Sequence, residues 1–242
     1  MYCFESRIRY SEVDESGILT IGNVVNYLQD CSTFHSEDLG IGVDFLREHQ
    51  TAWILNAWQI DLLELPHLGD FVITGTWAYD FKGIYGYRNF LMKKTDGTEL
   101  IKANSVWVYF DLAKGKPIKA AAEDMKGYKI LERLEMEYLP RKVVVSEGGS
   151  VQEPIVVRQH CIDTNHHVNN GQYIQLALDY LPADLRWKRV RAEYRKAAVL
   201  GDQMIPRVLS NEAGYFVVME DKEGNPFVNM EFTTENKKWK NE

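Results

Sequence analysis

Apolar residues fall into two rhythms along this chain, and the change from one to the other happens twice. From about Asn23 to Leu39, the residues Val24, Tyr27, Leu28, Cys31 and Phe34 recur at three-to-four spacing, and Gly40 stands where a helix would end. This predicts a helix over 23–39. Strand-like runs follow it at Ala52–Ile60, Phe71–Tyr79, Tyr85–Met92 and Ala103–Phe110. The second helical stretch runs from about Asn170 to Leu181 and stops before Pro182. Between Tyr173 and Leu181 only Gln175 and Asp179 are polar, four apart on one edge, so this helix is expected to be buried. Strand-like runs follow again at Arg189–Lys196, Met204–Leu209, Tyr215–Glu220 and Phe227–Thr233.

The order of landmarks repeats as well. Arg9-Tyr10-Ser11-Glu12-Val13-Asp14-Glu15-Ser16-Gly17 and Arg158-Gln159-His160-Cys161-Ile162-Asp163-Thr164-Asn165-His166 each keep an Asp five residues after an Arg and lead into a helix. Leu68-Gly69-Asp70 and Leu200-Gly201-Asp202 each introduce a strand, and Asp96-Gly97 and Glu223-Gly224-Asn225 each sit between two strands as hairpin turns do. The chain therefore reads as two copies of one α+β unit, each a helix wrapped by a mostly antiparallel sheet. The expected division is an N-terminal domain over 1–126, a linker over 127–150 and a C-terminal domain over 151–242. Residues 113–150 read as a Lys/Glu-rich, partly helical connector ending in a flexible joint, Glu147-Gly148-Gly149-Ser150.

Composition narrows the class. The chain has 242 residues, 45% hydrophobic and 26% charged, which is ordinary globular composition. No stretch reaches the ~18–20 apolar residues of a membrane span, and the opening residues lack an apolar core, so a cytoplasmic location is expected. Cys3, Cys31 and Cys161 are far apart and odd in number, which fits reduced thiols. With 28 basic against 35 acidic residues the net charge is −7, which argues against nucleic acid as a partner.

Candidate chemistry concentrates before the second helix, in Ile162-Asp163-Thr164-Asn165-His166-His167-Val168-Asn169-Asn170-Gly171-Gln172-Tyr173. A carboxylate, an amide and an imidazole stand at alternate positions, Asp163, Asn165 and His167, where extended backbone would turn all three to one side. His167 supplies an imidazole, which suits water activation. Asn165 suits a hydrogen bond to the water or to a carbonyl, and Asp163 suits orienting either. Asn169 or Asn170 would cap the helix, and the backbone N–H groups of Asn169, Asn170 and Gly171 would face developing negative charge. The plainer reading is a polar turn capping a helix. A metal site built on His160, His166 and His167 lacks the i, i+4 helical pair or the cysteine pairs that such sites use. Cys161 reads as a small buried residue, and His35 and His67 as surface or capping residues. Trp53, Trp58, Trp77 and Trp107 suit either an apolar tunnel or plain core.

The core Asp163-Thr164-Asn165-His166-His167-Val168-Asn169-Asn170 with Tyr173 resembles the D-x-N-x-H-V-N-N-x-x-Y pattern of the acyl-ACP (acyl carrier protein) thioesterases. Asn26-Tyr27-Leu28-Gln29-Asp30 with Glu37 and Leu39-Gly40, and Glu193-Tyr194-Arg195-Lys196, are similar to further segments of that family, and the match spans about residues 5–235. The resemblance implies a tandem (double) hotdog fold and hydrolysis of the thioester between a fatty acyl chain and the phosphopantetheine arm of acyl carrier protein, with no cofactor and no metal. It carries the catalytic roles onto Asp163, Asn165 and His167. After Lys196 the pattern breaks: relatives often carry a Glu where this chain has Ala197 and Ala198. The first copy keeps Asp14 but has Ser16 and Ile18 in place of the amide and imidazole, so one active site per chain is expected, with the first half building the acyl pocket.

One further stretch stands out for charge. Arg186, Lys188, Arg189, Arg191, Arg195 and Lys196 surround a single acidic residue, Glu193. They form either a solvated strand face or a dock for an acidic carrier protein or the pantetheine phosphate. The competing functions are an acyl-CoA thioesterase on the same fold, using Asp14, and a non-catalytic acyl-binding module. A dehydratase of the same fold is disfavoured because no H-F-P-type motif is present. Neither membrane nor nucleic acid is an expected partner, and the fold leaves room for a homodimer.

Overall fold

The computed structural model describes residues 1–212 and 214–234, so the end of the expected C-terminal domain, 235–242, lies outside the described residues. The chain forms two compact units, Met1–Leu139 and Pro140–Glu242. In the first, β1 (Tyr2–Arg7) precedes α1 (Ile21–Asp38) and a short α2 (Val43–Glu48) that the hydrophobic rhythm did not announce. Then come β2 (Thr51–Leu62), β3 (Phe71–Lys82), β4 (Tyr85–Lys94), β5 (Glu99–Asp111) and the two-residue β6 (Lys116–Pro117). They hydrogen-bond in the order β1-β3-β4-β5-β2, antiparallel at every pairing, with β6 added to β5.

Helix α1 begins where Thr20 accepts the Asn23 N–H with its side chain, and it closes at Leu39, after which Gly40 takes φ +70°. Most of its apolar stripe is buried, with Val24, Leu28 and Cys31 at 0% exposure and Tyr27 close to it, whereas Phe34 at the end of the stripe is exposed. The Cys31 thiol reaches the Thr74 carbonyl of β3 at 3.4 Å. Strand register then sorts the sheet into two faces. Ala78, Arg88, Ser105 and Trp58 form one row across β3, β4, β5 and β2, on the face that meets α1 through the contact of Arg88 with His35. The neighbouring row, Trp77, Asn89, Asn104 and Gln59, faces the other way.

That second face is covered by a strap running through Leu131–Leu139, and here the sequence expectation is corrected. No helix forms between 113 and 149 among the described residues. Instead the strap's backbone is satisfied by side chains of the sheet. Trp77 Nε1 donates to the Glu132 carbonyl at 2.8 Å. Asn89 Oδ1 accepts the Leu134 N–H at 3.1 Å, and Gln59 both donates to the Glu137 carbonyl and accepts the Leu139 N–H. Polar groups this deeply buried demand such partners, which fixes the strap in extended form. Of the four tryptophans, Trp77 is thus a strap anchor, Trp58 is core against Phe90, Trp53 packs on Phe81 and Tyr109, and Trp107 bonds Ser105.

The second unit contains β7 (Ser150–Val151), β8 (Ile155–Val156), α3 (Asn170–Leu178), β9 (Trp187–Tyr194), β10 (Gln203–Asn211), β11 (Gly214–Glu220) and β12 (Pro226–Thr234). Its sheet order is β9-β12-β11-β10-β7, with β8 also on β10. Helix α3 is three residues shorter than the expected 170–181. Tyr180 and Leu181 donate to carbonyls three residues back, at Ala177 and Leu178, so the last turn has tightened before Pro182. Ile174 and Ala177 are 0% exposed, as is expected of a buried helix. The joint at Glu147–Ser150 is not loose: Gly149 sits at φ +104° against Leu209, Arg207 donates to the Gly148 carbonyl, and Ser150 pairs with Val208.

His35 departs from its expected surface or capping role. Its Nδ1 receives a 2.6 Å hydrogen bond from Arg88, and its ring stacks on Tyr2 and meets Tyr128 edge-on. Arg88 is 8% exposed, and its partners among the described residues are neutral: His35, Thr76 at 3.3 Å and the ring of Tyr128. Burial, reinforced by the Arg88 charge, pushes the His35 pKa down from 6.5 to about 4. The unfolded chain therefore binds this proton first, and stability falls as pH drops from 6.5 toward 4. Denaturant midpoints measured across that window should decline, and His35→Gln should flatten the decline. An unchanged slope in the variant would assign it to other groups.

Candidate active site

The segment that carries the candidate chemistry is a tight loop closed by its own aspartate. Asp163 Oδ1 accepts the backbone N–H of Asn165 at 2.8 Å and of His167 at 3.3 Å. The Asp163 N–H donates to the His167 carbonyl at 2.8 Å, and Ile162 and Val168 bridge across the base of the loop. The turn requires left-handed backbone at one point, and His166 supplies it at φ +62°. Val168 then donates to the Ala198 carbonyl, and Tyr173, from α3, accepts the Ala198 N–H at 2.9 Å. The loop is thereby held from both sides.

The first unit builds the same loop. Asp14 Oδ1 accepts the N–H groups of Ser16 at 2.9 Å and Ile18 at 3.0 Å, Asp14 N–H donates to Ile18, and Gly17 takes φ +75°. Thr20 and Asn169 each cap the helix that follows. The two Leu-Gly-Asp turns match as well: Asp70 accepts the His67 N–H, and Asp202 accepts the Val199 N–H. The duplication inferred from spacing thus holds down to individual hydrogen bonds.

These contacts reassign several expected roles. Asp163 turns its carboxylate into the loop, so the three side chains do not form one hydrogen-bonded set. Its carboxylate sets the path of the backbone that carries the other two. Asn165 and His167 are both exposed, and neither side chain has a hydrogen-bond partner among the described residues. Of the expected oxyanion donors, Asn169 N–H is spent on the Cys161 carbonyl at 2.8 Å and Gly171 N–H on Asn169 Oδ1 at 2.8 Å. The start of α3 therefore offers less to a developing anion than the sequence promised. Burial holds the Tyr173 hydroxyl at a pKa of about 12, and it raises that of Tyr194, which donates to the Asn170 carbonyl. Both tyrosines act as struts. Cys161 is buried, His160 and His166 are exposed, and no group of three His, Cys, Asp or Glu gathers at metal-binding distance among the described residues. Ala197, at the break in the motif, is exposed next to the Ala198 contact with the loop.

The cationic run does not form a single face. Alternation along β9 buries Val190 and Ala192 on one side and directs Arg189, Arg191 and Glu193 to the other. Arg191 is paired with Glu231 and also donates to the carbonyls of Pro140 and Lys142. Arg195 pairs with the buried Glu193 at 2.8 Å and Lys196 with Asp221 at 3.0 Å. Arg191, Arg195 and Lys196 are therefore ion-paired within the unit, although Arg195 and Lys196 are exposed, as are Arg186 and Lys188. Glu231 and Asp221 lie far along the chain from the run, which is why charge counting missed them.

Comparison with known proteins follows the same outline. The acyl-ACP thioesterase N-terminal domain family matches residues 2–128, and the acyl-ACP thioesterase C-terminal domain family matches 146–230. A chloroplastic acyl-[acyl-carrier-protein] hydrolase, FATB1, of Cuphea viscosissima is 25% identical over 197 residues, covering 74% of this chain and 46% of that protein. An oleoyl-acyl carrier protein thioesterase of Arabidopsis thaliana is 23% identical over 220 residues, covering 78% of this chain and 57% of its own length. The chain spans about half the length of the curated relatives it matches. Among solved structures, an acyl-ACP thioesterase from Bacteroides thetaiotaomicron superposes with a TM-score of 0.85 at 25% identity, covering 96% of this chain and 97% of that one. A 12:0-ACP thioesterase from Umbellularia californica shares the fold, with a TM-score of 0.81 at 19% identity over 97% of this chain and 98% of that one.

The loop geometry makes a first prediction about the site. A non-glycine residue at left-handed φ costs roughly 1–2 kcal/mol, partly offset by the greater chain entropy a glycine loses on folding. His166→Gly, which restores the residue that the first unit uses, should leave the thermal midpoint unchanged or slightly higher. A drop of several degrees would mean that the His166 side chain, and not its backbone, holds the loop.

Proposed function

The chain belongs to the acyl-ACP thioesterase family, and from that premise we propose that it hydrolyses a fatty acyl thioester of acyl carrier protein to the free acid and the carrier thiol. The observation that carries this reading is the Asp163-closed loop, which presents an exposed imidazole and an exposed amide two residues apart at the mouth of a buried helix. Water is the nucleophile. His167 takes its proton as the oxygen adds to the thioester carbonyl, giving a tetrahedral anion. Asn165 Nδ2 donates to that anion, in place of Asn169 and Gly171, which have already spent their N–H groups. Collapse expels the thiolate, which recovers the proton from His167. Asp163 keeps both groups in place through the backbone and does not exchange a proton. The three cysteines, far apart in sequence, support a cytoplasmic location.

Steady-state kinetics on acyl-ACP test the assignment. His167→Ala should lower kcat by roughly 10²–10⁴, the usual contribution of a positioned general base, with the fold intact by circular dichroism. Asn165→Ala should cost a comparable factor. Undiminished turnover in His167→Ala would end this mechanism.

The break at Ala197 yields a separate outcome. Because Ala197 is exposed beside the loop, Ala197→Glu should fold normally, and a carboxylate there should hold kcat level or raise it by assisting water activation. Loss of folded protein would show that the position is packed, and a fall in kcat that water does not approach from that side.

A further inference from the structure

Because the two units repeat one loop, any residue that is paired in one copy and released in the other marks a change of use. Arg9 and Arg158 occupy equivalent positions, each preceding a single 3-10 turn, with φ/ψ of −95°/157° and −104°/163°. The turns close alike: Glu12 N–H donates to the Arg9 carbonyl at 3.1 Å and Cys161 N–H to that of Arg158 at 3.0 Å. The side chains diverge. Glu12 pairs with Arg9 Nε at 3.1 Å, accepts the Arg9 N–H at 2.8 Å and accepts the Tyr27 hydroxyl at 2.8 Å. In the second unit a buried cysteine, Cys161, stands in place of that glutamate. Arg158 is exposed and has neither an ion pair nor a hydrogen bond among the described residues.

No carboxylate pairs with that cation among the described residues. Asp163 is committed to two loop N–H groups, Asp202 to Val199 N–H, and Asp221 to its own hairpin and to Lys196. The remaining charged or titratable side chains of the loop, His160, His166 and His167, are not acidic. An exposed guanidinium opens the same loop that ends in His167, with no carboxylate of that loop free to meet it.

We propose that Arg158 is a substrate-binding residue that receives a phosphate ester on the thiol-bearing arm of the thioester. A guanidinium binds a phosphate oxygen pair through two parallel N–H donors, which gives orientation as well as affinity. Replacement of the glutamate by Cys161 is what frees the second-unit arginine for this task. The inference rests on the thioesterase reading, since it places the arm beside the reacting carbonyl.

The test compares acyl-4′-phosphopantetheine, acyl-pantetheine and acyl-ACP as substrates at low and moderate salt. The wild-type chain should favour the phosphorylated small thioester over the unphosphorylated one in kcat/KM. Arg158→Ala should remove most of that preference through a 5- to 20-fold rise in KM, Arg158→Lys should keep part of it, and higher salt should shrink it. Cys161→Glu, which rebuilds the first-unit pair, should reproduce the Arg158→Ala effect if it folds. Lys222→Ala, removing a positive charge from another exposed loop, serves as the control and should leave the preference intact. An unchanged preference in Arg158→Ala, or equal losses on both small thioesters, would overturn the role. A loss confined to acyl-ACP would overturn it in favour of contact with the carrier's acidic surface. Failure of the wild-type chain to cleave any of the three would overturn the thioesterase reading itself.

Discussion

A single carboxylate bonded to two backbone N–H groups is the constraint on which the site depends. The segment from Asp163 to Val168 reverses direction within a few residues, and such a reversal turns amide hydrogens inward where no strand partner can take them. Asp163 accepts two of them. Removing that acceptor would leave both donors to water and release the turn they close. The cap of α3 and the clasp by Ala198 follow directly from the path this closure sets. Since Asp14 performs the same closure in a copy with no imidazole, closing the loop is architecture first, and the chemistry occupies positions that the architecture happens to aim outward.

Duplication lets the two copies be read against each other as a natural substitution series. Gly17 becomes His166 at the strained position, Ser16 becomes Asn165, Ile18 becomes His167 and Glu12 becomes Cys161. Two of these exchanges give up something local in the second unit: Gly17 a strain-free residue, and Glu12 an ion pair and a hydroxyl bond to Tyr27. A loop that serves stability alone would keep the first-unit residues. Strained or unpaired groups persist where the surrounding structure over-determines them, and the bridge below and the Ala198 clasp beside this loop do that.

Much of the fold was legible because its signals are local. Helix and strand rhythms depend on spacing within a dozen residues, and each expected strand appears within a few residues of its range. The misreadings share a cause, which is that the deciding partner is distant in sequence. The Leu131–Leu139 strap looked helical by composition but owes its extended form to Gln59, Trp77 and Asn89, whose side chains form part of one row on the sheet. The joint before Ser150 looked mobile but is pinned by Arg207 and Val208. His35 looked like a surface residue until β4 placed Arg88 beneath it. The candidate site followed the same rule: the motif drew attention to the loop, whereas the direction of the Asp163 carboxylate depended on backbone that only the closed loop defines.

Charge distribution is where local and distant information meet. A chain of net charge −7 repels an anionic substrate at long range, so attraction has to come from cations that are near the site and not already neutralised. Density along the sequence favoured the run on β9, but a strand presents its residues alternately, and Glu231, Glu193 and Asp221 neutralise much of that run within the unit. What distinguishes an available cation is therefore the absence of a committed carboxylate. At the opening of the site loop that distinction comes from one exchange inside a repeated turn, Glu12 in the first copy against Cys161 in the second.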